Sequence, residues 1–213
     1  MNSENREYYK ARFKFDKDRK IVWKAINEYL TQFIDEQSHI MDLGCGYGDF
    51  INGIEGLSKF AIDLNIDNKK YLDPDVTFFP GSVLDPFPVK NESLDVIFAS
   101  NLFEHFDDIE LDLLIKNVYE KLKKGGKLIL IQPNIRYSYR EYWDDYTHKK
   151  AFSHESIRDF LVASSFSPVQ VEKKFIPFSM KSKLPKSYFL TKLYLSLPIR
   201  PLAKQMLIVV QKI

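Results

Sequence analysis

Residues 39–50 read His-Ile-Met-Asp-Leu-Gly-Cys-Gly-Tyr-Gly-Asp-Phe, and this stretch decides the fold. A short apolar run ends in an acid, Asp42, and glycines follow at three alternate positions, Gly44, Gly46 and Gly48. Glycine permits positive φ and has no Cβ that would block a ligand. The pattern therefore predicts a buried strand that leaves a sheet through a tight turn. In an open α/β sheet, a ligand at such a turn is usually nucleotide-like.

The spacing of these glycines differs from the dinucleotide fingerprint, in which the third glycine comes three residues after the second. Here Gly48 comes two residues after Gly46, and Asp49 follows it. A carboxylate there would face a pyrophosphate unfavourably, but it suits a cationic ligand. The order Asp-x-Gly-x-Gly-x-Gly resembles motif I of the class I S-adenosylmethionine-dependent methyltransferases, of the type 11-like group that acts on small molecules and glycans. The resemblance implies S-adenosyl-L-methionine as the cofactor.

The composition is that of a soluble globular protein, with 213 residues, 45% hydrophobic and 28% charged. That length suggests one domain. The formal net charge of +2 gives no reason to expect a nucleic-acid partner. The single cysteine, Cys45, excludes an intramolecular disulfide and indicates a reducing, cytoplasmic location. No apolar run is as long as a membrane span. No apolar stretch follows the polar N-terminus, so we expect no secretory signal.

Short apolar runs alternate with amphipathic segments, which predicts a mostly parallel sheet with helices on both faces. The predicted strands are residues 40–43, 59–64, 76–79, 94–99, 127–131, 169–175 and 207–210. The predicted helices are one or two within 3–36, with a break near 16–18, then 49–54, 65–72, 109–122, ended by Gly125-Gly126, and 153–164. The resemblance implies a doubly wound, seven-stranded, Rossmann-like α/β fold with an N-terminal helical extension and an antiparallel last strand.

We expect a single methyltransferase domain over residues 1–213. Helices occupy 1–36, the core is 38–175 and 205–213, and 176–204 is an insertion or lid. After Glu172 the sequence has no Asp or Glu, and basic residues alternate with aromatic ones. This tail is either a solvated basic face or a surface for an anionic membrane or substrate. Residues 176–204 could therefore contact a membrane peripherally, with a lipid-linked acceptor. The alternatives are a lid, a packing element or a dimer contact.

Cofactor contacts are implied by the resemblance at the ends of successive strands. Asp63 ends the second strand, and its carboxylate can accept both ribose hydroxyls of an adenosine ligand. Ser82 follows the third strand, where relatives often carry an acid beside the adenine, so its contact should be weaker. The predicted cofactor residues are Asp42, Gly44, Cys45, Gly46, Gly48, Asp63, Leu64, Ser82, Val83 and Asn101.

The segment after the fourth strand reads Asn101-Leu102-Phe103-Glu104-His105-Phe106 and resembles the Glu-His element of many small-molecule methyltransferases. The resemblance places it beside the transferred methyl group, where Glu104 and His105 in contact can act as a base and its orienter. Some relatives use Glu-x-x-Glu-His as metal ligands. Asn101, a poor ligand, stands at the first position here, so we predict no metal site. The alternative is that His105 only caps a helix or packs.

Residues 137–148 read Tyr-Ser-Tyr-Arg-Glu-Tyr-Trp-Asp-Asp-Tyr-Thr-His and form the most aromatic stretch of the chain. Aromatic faces with Asp, Arg and His nearby are typical of a sugar or polyol site. The alternative is a loop held on the core by its aromatic rings. A looser resemblance here is to methyltransferases of polysaccharide and glycolipid biosynthesis. The predicted substrate contacts are Asn134, Tyr142, Trp143 and Asp145.

His148 is the predicted general base, because histidine titrates near neutral pH and a sugar hydroxyl is a weak acid. Asp144 or Asp145 would orient it, and His105 with Glu104 is the second candidate. The function predicted is therefore methylation of an oxygen on a small molecule or a sugar or glycan intermediate. One alternative is a nicotinamide-dependent oxidoreductase, but the glycine spacing disfavours it. The other is an inactive ligand-binding module, which the intact motif I disfavours.

Overall fold

A seven-stranded sheet forms the centre of the protein in a computed structural model that describes residues 16–177 and 186–213. The strands are β1 (His39–Leu43), β2 (Ser58–Asp63), β3 (Val76–Pro80), β4 (Leu94–Ser100), β5 (Leu122–Pro133), β6 (Phe166–Pro177) and β7 (Ala203–Lys212). Their order is β3-β2-β1-β4-β5-β7-β6. Strands β1 to β5 pair in parallel, whereas β7 runs antiparallel to both β5 and β6. This confirms the predicted doubly wound, mostly parallel α/β fold.

Helices precede the first strand and connect several of the later strands. They are α1 (Arg19–Leu30), α2 (Asp108–Lys121), α3 (Ile135–Ser138), α4 (His154–Ala163) and α5 (Tyr188–Ser196). Single 3₁₀ segments lie at Thr31–Phe33, Ile51–Gly53, Ile66–Tyr71, Phe103–His105 and Tyr142–Asp144. Capping boxes begin α2 and α4, with Asp107 and Ser153 as the N-cap residues. Among the described residues, no helix is long and apolar enough to cross a bilayer.

Each face of the sheet is covered by different helices. Successive residues of a strand point to opposite faces, so Leu128 and Leu130 of β5 pack on the side of α2 and α4. Ile129 and Ile131 pack on the side of α1 and α5. The N-terminal helix therefore closes one face of the core. The predicted helical segment before Asp16 lies outside the described residues.

Two local predictions are wrong, and each has a physical reason. The helix predicted at 49–54 is reduced to one 3₁₀ turn, because the side chain of Asn27 donates hydrogen bonds to the carbonyls of Asp49 and Phe50. Those carbonyls are thus already paired with a group outside the turn. Gly125-Gly126 does not end a helix: α2 ends at Lys121, and both glycines lie within β5.

The order of the strands reverses between β1 and β4, because β2 and β3 are added on one side and β5 on the other. Ligands of open α/β sheets bind at the carboxyl ends of the strands at such a reversal. This edge carries the glycine loop after β1, Asp63 at the end of β2, and residues 101–106 after β4.

Candidate active site

The glycine loop after β1 adopts a backbone that only glycine takes readily. Gly44, Gly46 and Gly48 have φ of 65°, 52° and 73°. A Cβ at Gly48 would lie 2.6 Å from Cδ2 of Leu72, whereas a Cβ at Gly46 would have no atom within 4 Å. Gly48 is therefore needed for packing inside the protein, and Gly46 faces open space in which a ligand can lie.

Asp63 holds this loop from the neighbouring strand. Its Oδ2 accepts a hydrogen bond from the N–H of Gly46 at 2.8 Å, and its Oδ1 accepts one from the N–H of Asn65 at 2.7 Å. Burial raises the pKa of Asp63, against the lowering effect of these two amides. The side chain of Asn68 also hydrogen-bonds this carboxylate and lowers its pKa. Three of the roughly four acceptor positions of Asp63 are therefore used inside the protein, and one remains for a ribose hydroxyl.

Two further acids lie beneath the loop. Asp42 is buried, and burial together with the charges of Asp63 and Asp49 raises its pKa well above the ordinary value. Asp49 is paired with Arg19, whose Nε donates to Oδ2 at 2.8 Å, although burial still raises the pKa of Asp49. The Asp49 carboxylate therefore already has a cation inside the protein. Asp63 is the acid that borders the open Gly46 backbone, where a ligand that carries positive charge would be favoured.

The other predicted cofactor residues occupy different surroundings. Cys45 and Val83 are buried, and burial raises the pKa of the Cys45 thiol, which therefore stays protonated. Leu64 is exposed. The hydroxyl of Ser82 accepts the N–H of Leu84 at 3.1 Å and keeps its own hydrogen for donation. Asn101, with φ of 50°, accepts a bond from Nε2 of Gln205 at 2.6 Å. Their contacts with the cofactor stay predictions.

The segment after β4 lies directly against the glycine loop. A Cβ at Gly44 would be 3.1 Å from Cδ1 of Leu102. Two residues further, Glu104 is 1% exposed, and within the described chain neither of its carboxylate oxygens has a hydrogen-bond partner. Burial raises the pKa of Glu104 to about 8, and the nearby charge of Asp145 adds to the effect. A carboxyl group with unsatisfied oxygens thus lies beside the cofactor loop.

The structure brings His148 to the Glu104–His105 pair. The ring centres of His105 and His148 are 4.9 Å apart. One side-chain nitrogen or oxygen atom from each of Glu104, His105 and His148 lies within 4.8 Å of the other two, a set of groups that could also hold a metal ion. The approach is fixed by the backbone, because the N–H groups of Lys149 and Lys150 donate to the carbonyl of Glu104 at 2.8 and 3.1 Å. All three predicted catalytic residues therefore meet at one point.

Asp145 organises the loop through Thr147. Its Oδ1 accepts bonds from the N–H and the hydroxyl of Thr147, at 3.1 and 2.7 Å. The same hydroxyl lies 3.0 Å from Nδ1 of His105. Asp145 thus acts on His105 through Thr147, a residue that the sequence interpretation did not assign a role. Asp144 is exposed.

Of the four predicted substrate contacts, only Trp143 is exposed, at 56%. Tyr142 is buried, donates to the carbonyl of Lys150 at 2.7 Å, and packs its ring 4.7 Å from that of His148. Asn134 is also buried, and its side chain bonds to the carbonyl of Lys173, to His154 and to the N–H of Arg136. Tyr142 and Asn134 therefore hold the loop on the core, and their contact with the substrate stays a prediction.

A family model described as a methyltransferase domain matches residues 15–171. The chain belongs to this family. Its fold is similar to a SAM-dependent methyltransferase from Archaeoglobus fulgidus, with a TM-score of 0.69 and 23% identity, covering 99% of this chain and 100% of that one. It is also similar to a geranyl diphosphate C-methyltransferase from Streptomyces coelicolor, solved with Mg²⁺, geranyl diphosphate and S-adenosyl-L-homocysteine, with a TM-score of 0.62 and 15% identity over 89% and 80% of the two chains.

Among curated proteins, carboxy-S-adenosyl-L-methionine synthase of Staphylococcus epidermidis is 28% identical over 109 residues, which is 47% of this chain and 47% of that protein. The chain spans about half the length of the curated relatives it matches, 49% and 47%. These findings confirm the predicted class I methyltransferase family, with S-adenosyl-L-methionine as its cofactor. They favour this family over the nicotinamide-dependent alternative.

Proposed function

We propose that this methyltransferase methylates a hydroxyl oxygen of a small molecule or of a sugar or glycan intermediate. The observation that carries the proposal is the buried Glu104 carboxyl group, with no partner for its oxygens in the described chain, beside His105 and His148. Leu102 connects this cluster to the glycine loop. A group that accepts protons therefore lies next to the place where the cofactor is expected.

S-adenosyl-L-methionine, when bound, supplies a methyl group that is already activated on a sulfonium. The protein must then hold the acceptor oxygen in line and remove its proton. We assign proton removal to His148, because imidazole titrates near neutral pH. Burial raises the pKa of Glu104 to about 8, so this carboxyl group is mostly protonated at neutral pH and accepts a proton from His148 only in its ionised fraction. Thr147 and Asp145 keep His105 oriented. Glu104 is buried, whereas His105 and His148 are half-buried.

Exposed aromatic rings on the same loop favour a sugar or polyol acceptor. Tyr139, Trp143 and Tyr146 are 60%, 56% and 80% exposed. The CH-rich face of a sugar ring stacks on such rings, and nearby polar tips bind its hydroxyl groups. Methylation within polysaccharide or glycolipid synthesis is the process that this acceptor class suggests.

The proposal is tested by transfer of a labelled methyl group from S-adenosyl-L-methionine to matched acceptors. Simple sugars, polyols and sugar nucleotides are compared with their amino analogues, and mass spectrometry locates the label. We expect methyl ethers on hydroxylated acceptors. We also expect Trp143→Ala to raise KM for the acceptor with little change in KM for the cofactor.

Two outcomes would count against the proposal. Label found only on nitrogen or carbon would reassign the acceptor atom. If S-adenosylmethionine binds normally but no acceptor receives label, the chain is better described as an inactive ligand-binding module.

A further inference from the structure

Helix α5 and the turn after it expose a group of large apolar side chains. Phe189, Leu193, Ile199 and Leu202 are 78%, 60%, 79% and 78% exposed. We define the α5 face as Phe189, Leu190, Leu193, Leu197, Ile199 and Leu202. Single exposed apolar residues are ordinary, but a contiguous group of them marks a contact surface.

The α5 face is a continuous outer side of an anchored helix. Phe189 and Leu193 are four residues apart and therefore lie on the same side of α5, and Leu197 follows directly after the helix ends at Ser196. The inner side holds Leu195, 4% exposed, and Tyr194, both packed in the core cluster that contains α1. The helix is therefore fixed to the protein on one side and apolar on the other.

Several basic side chains of the tail are neutralised by acids from other parts of the chain. Ion pairs join Lys186 to Asp16, Lys192 to Glu28, and Arg200 to Glu172. These acids come from α1, from the residues before it, and from β6. The net charge of this surface therefore includes the residues of both α1 and α5.

Counted together, the surface is still basic. Residues 16–30 and 186–202 contain seven Lys or Arg and three Asp or Glu. With Asp49 and Glu172, the acids paired with Arg19 and Arg200, the net charge is +2. Lys17, Lys20 and Lys24 on the α1 side are exposed. Nζ of Lys24 lies 5.3 Å from the ring centre of Tyr188, so these lysines border α5.

We propose that the α5 face lies in the headgroup region of an anionic lipid bilayer, with the α1 lysines toward the lipid phosphates. An apolar side bordered by lysines is the pattern of a helix that lies in the membrane interface. Lysines near such a surface are attracted to its anionic headgroups, and salt weakens that attraction. A second copy of the chain is the poorer partner, because it would bring two surfaces of net positive charge together. The proposal does not depend on the catalytic one.

The test is co-flotation of the purified protein with lipid vesicles, which requires no methyl transfer. Vesicles rich in phosphatidylglycerol are compared with pure phosphatidylcholine, at low and at high salt. We expect flotation with the anionic vesicles that salt weakens. The double variant Phe189→Ser/Leu193→Ser should lose about tenfold or more of the bound fraction, and Lys20→Glu/Lys24→Glu should lose the preference for anionic lipid.

The matched control is Leu57→Ser/Ile109→Ser, which removes apolar side chains that are 60% and 76% exposed elsewhere. It should float like the wild type, and thermal melting should show that all variants fold. Two results would overturn the proposal: wild-type protein that stays in the soluble fraction at low salt, or a dimer that Phe189→Ser/Leu193→Ser converts to monomer.

Discussion

The carboxylate of Asp63 accepts a hydrogen bond of 2.8 Å from the main-chain N–H of Gly46, across the gap between β2 and the loop that follows β1. The acid predicted to bind the cofactor ribose is thus also a brace for the loop on which the cofactor is expected to lie. Its second oxygen binds the N–H of Asn65. Changes at Asp63 should therefore affect binding in two ways, through a lost contact and through a looser loop.

Asp63→Ala should weaken the binding of S-adenosylmethionine by about tenfold or more, because a hydrogen bond to a charged group contributes roughly 1.5–3 kcal/mol. Isothermal titration measures the affinity. Asp67→Ala, an exposed acid that follows the same strand, is the control and should bind like the wild type. A loss of less than about twofold in Asp63→Ala would show that neither a ribose contact nor the bond to the loop contributes to cofactor binding.

Gly46→Ala should bind S-adenosylmethionine at least roughly 100-fold more weakly, since its Cβ would enter the open space of the cleft, and Gly46→Val should abolish binding. A side chain at positive φ also costs about 1–2 kcal/mol of stability. Gly125→Ala is the matched control, because Gly125 has φ of 78° at the other end of the sheet. Both variants should melt earlier by similar amounts, and only Gly46→Ala should lose affinity. Equal affinity in the two variants would place the ligand elsewhere.

Asp42→Asn should stabilise the ligand-free protein at neutral pH. Burial and the charges of Asp63 and Asp49 raise the pKa of Asp42 in the folded state above its ordinary value of 3.8. The folded state therefore binds the proton more tightly than the unfolded state. The loss of folding stability caused by ionised Asp42 is absent below about pH 4 and grows as pH rises. Denaturant unfolding at several pH values should show a flatter profile for Asp42→Asn, together with weaker cofactor binding. An unchanged pH profile would mean that Asp42 does not carry this penalty.

Most of the sheet could be predicted from the sequence, because the apolar runs end in residues with a clear physical signal. Gly44, Gly46 and Gly48 predicted a turn at positive φ, which the structure has. The capping residue Ser153 predicted the start of α4. The prediction that Gly125-Gly126 ends a helix was wrong, because a glycine pair fits both the end of a helix and an irregular strand. Only pairing with β4 and β7 decides between them.

Contacts between distant segments could not be predicted from local patterns. Glu104, His105 and His148 were each predicted as catalytic candidates, but their meeting depends on how the loop before α4 folds back over β4. The pairing of Asp49 with Arg19 was missed for the same reason, because its partner lies in the preceding helix. Asn134 has the residue type of a substrate contact, and the bonds by which it supports the loop depend on a fold that local patterns do not show.

The assignment of proton removal is tested most directly by single-turnover methyl transfer in His148→Ala, with saturating S-adenosylmethionine and a metal chelator present. His39→Ala, a histidine at the start of β1, is the matched control. We predict that His148→Ala transfers the methyl group about 100-fold more slowly or worse, with unchanged cofactor affinity, while His39→Ala keeps the wild-type rate. A normal rate in His148→Ala would contradict the account, as would a wild-type reaction that stops when the chelator is added.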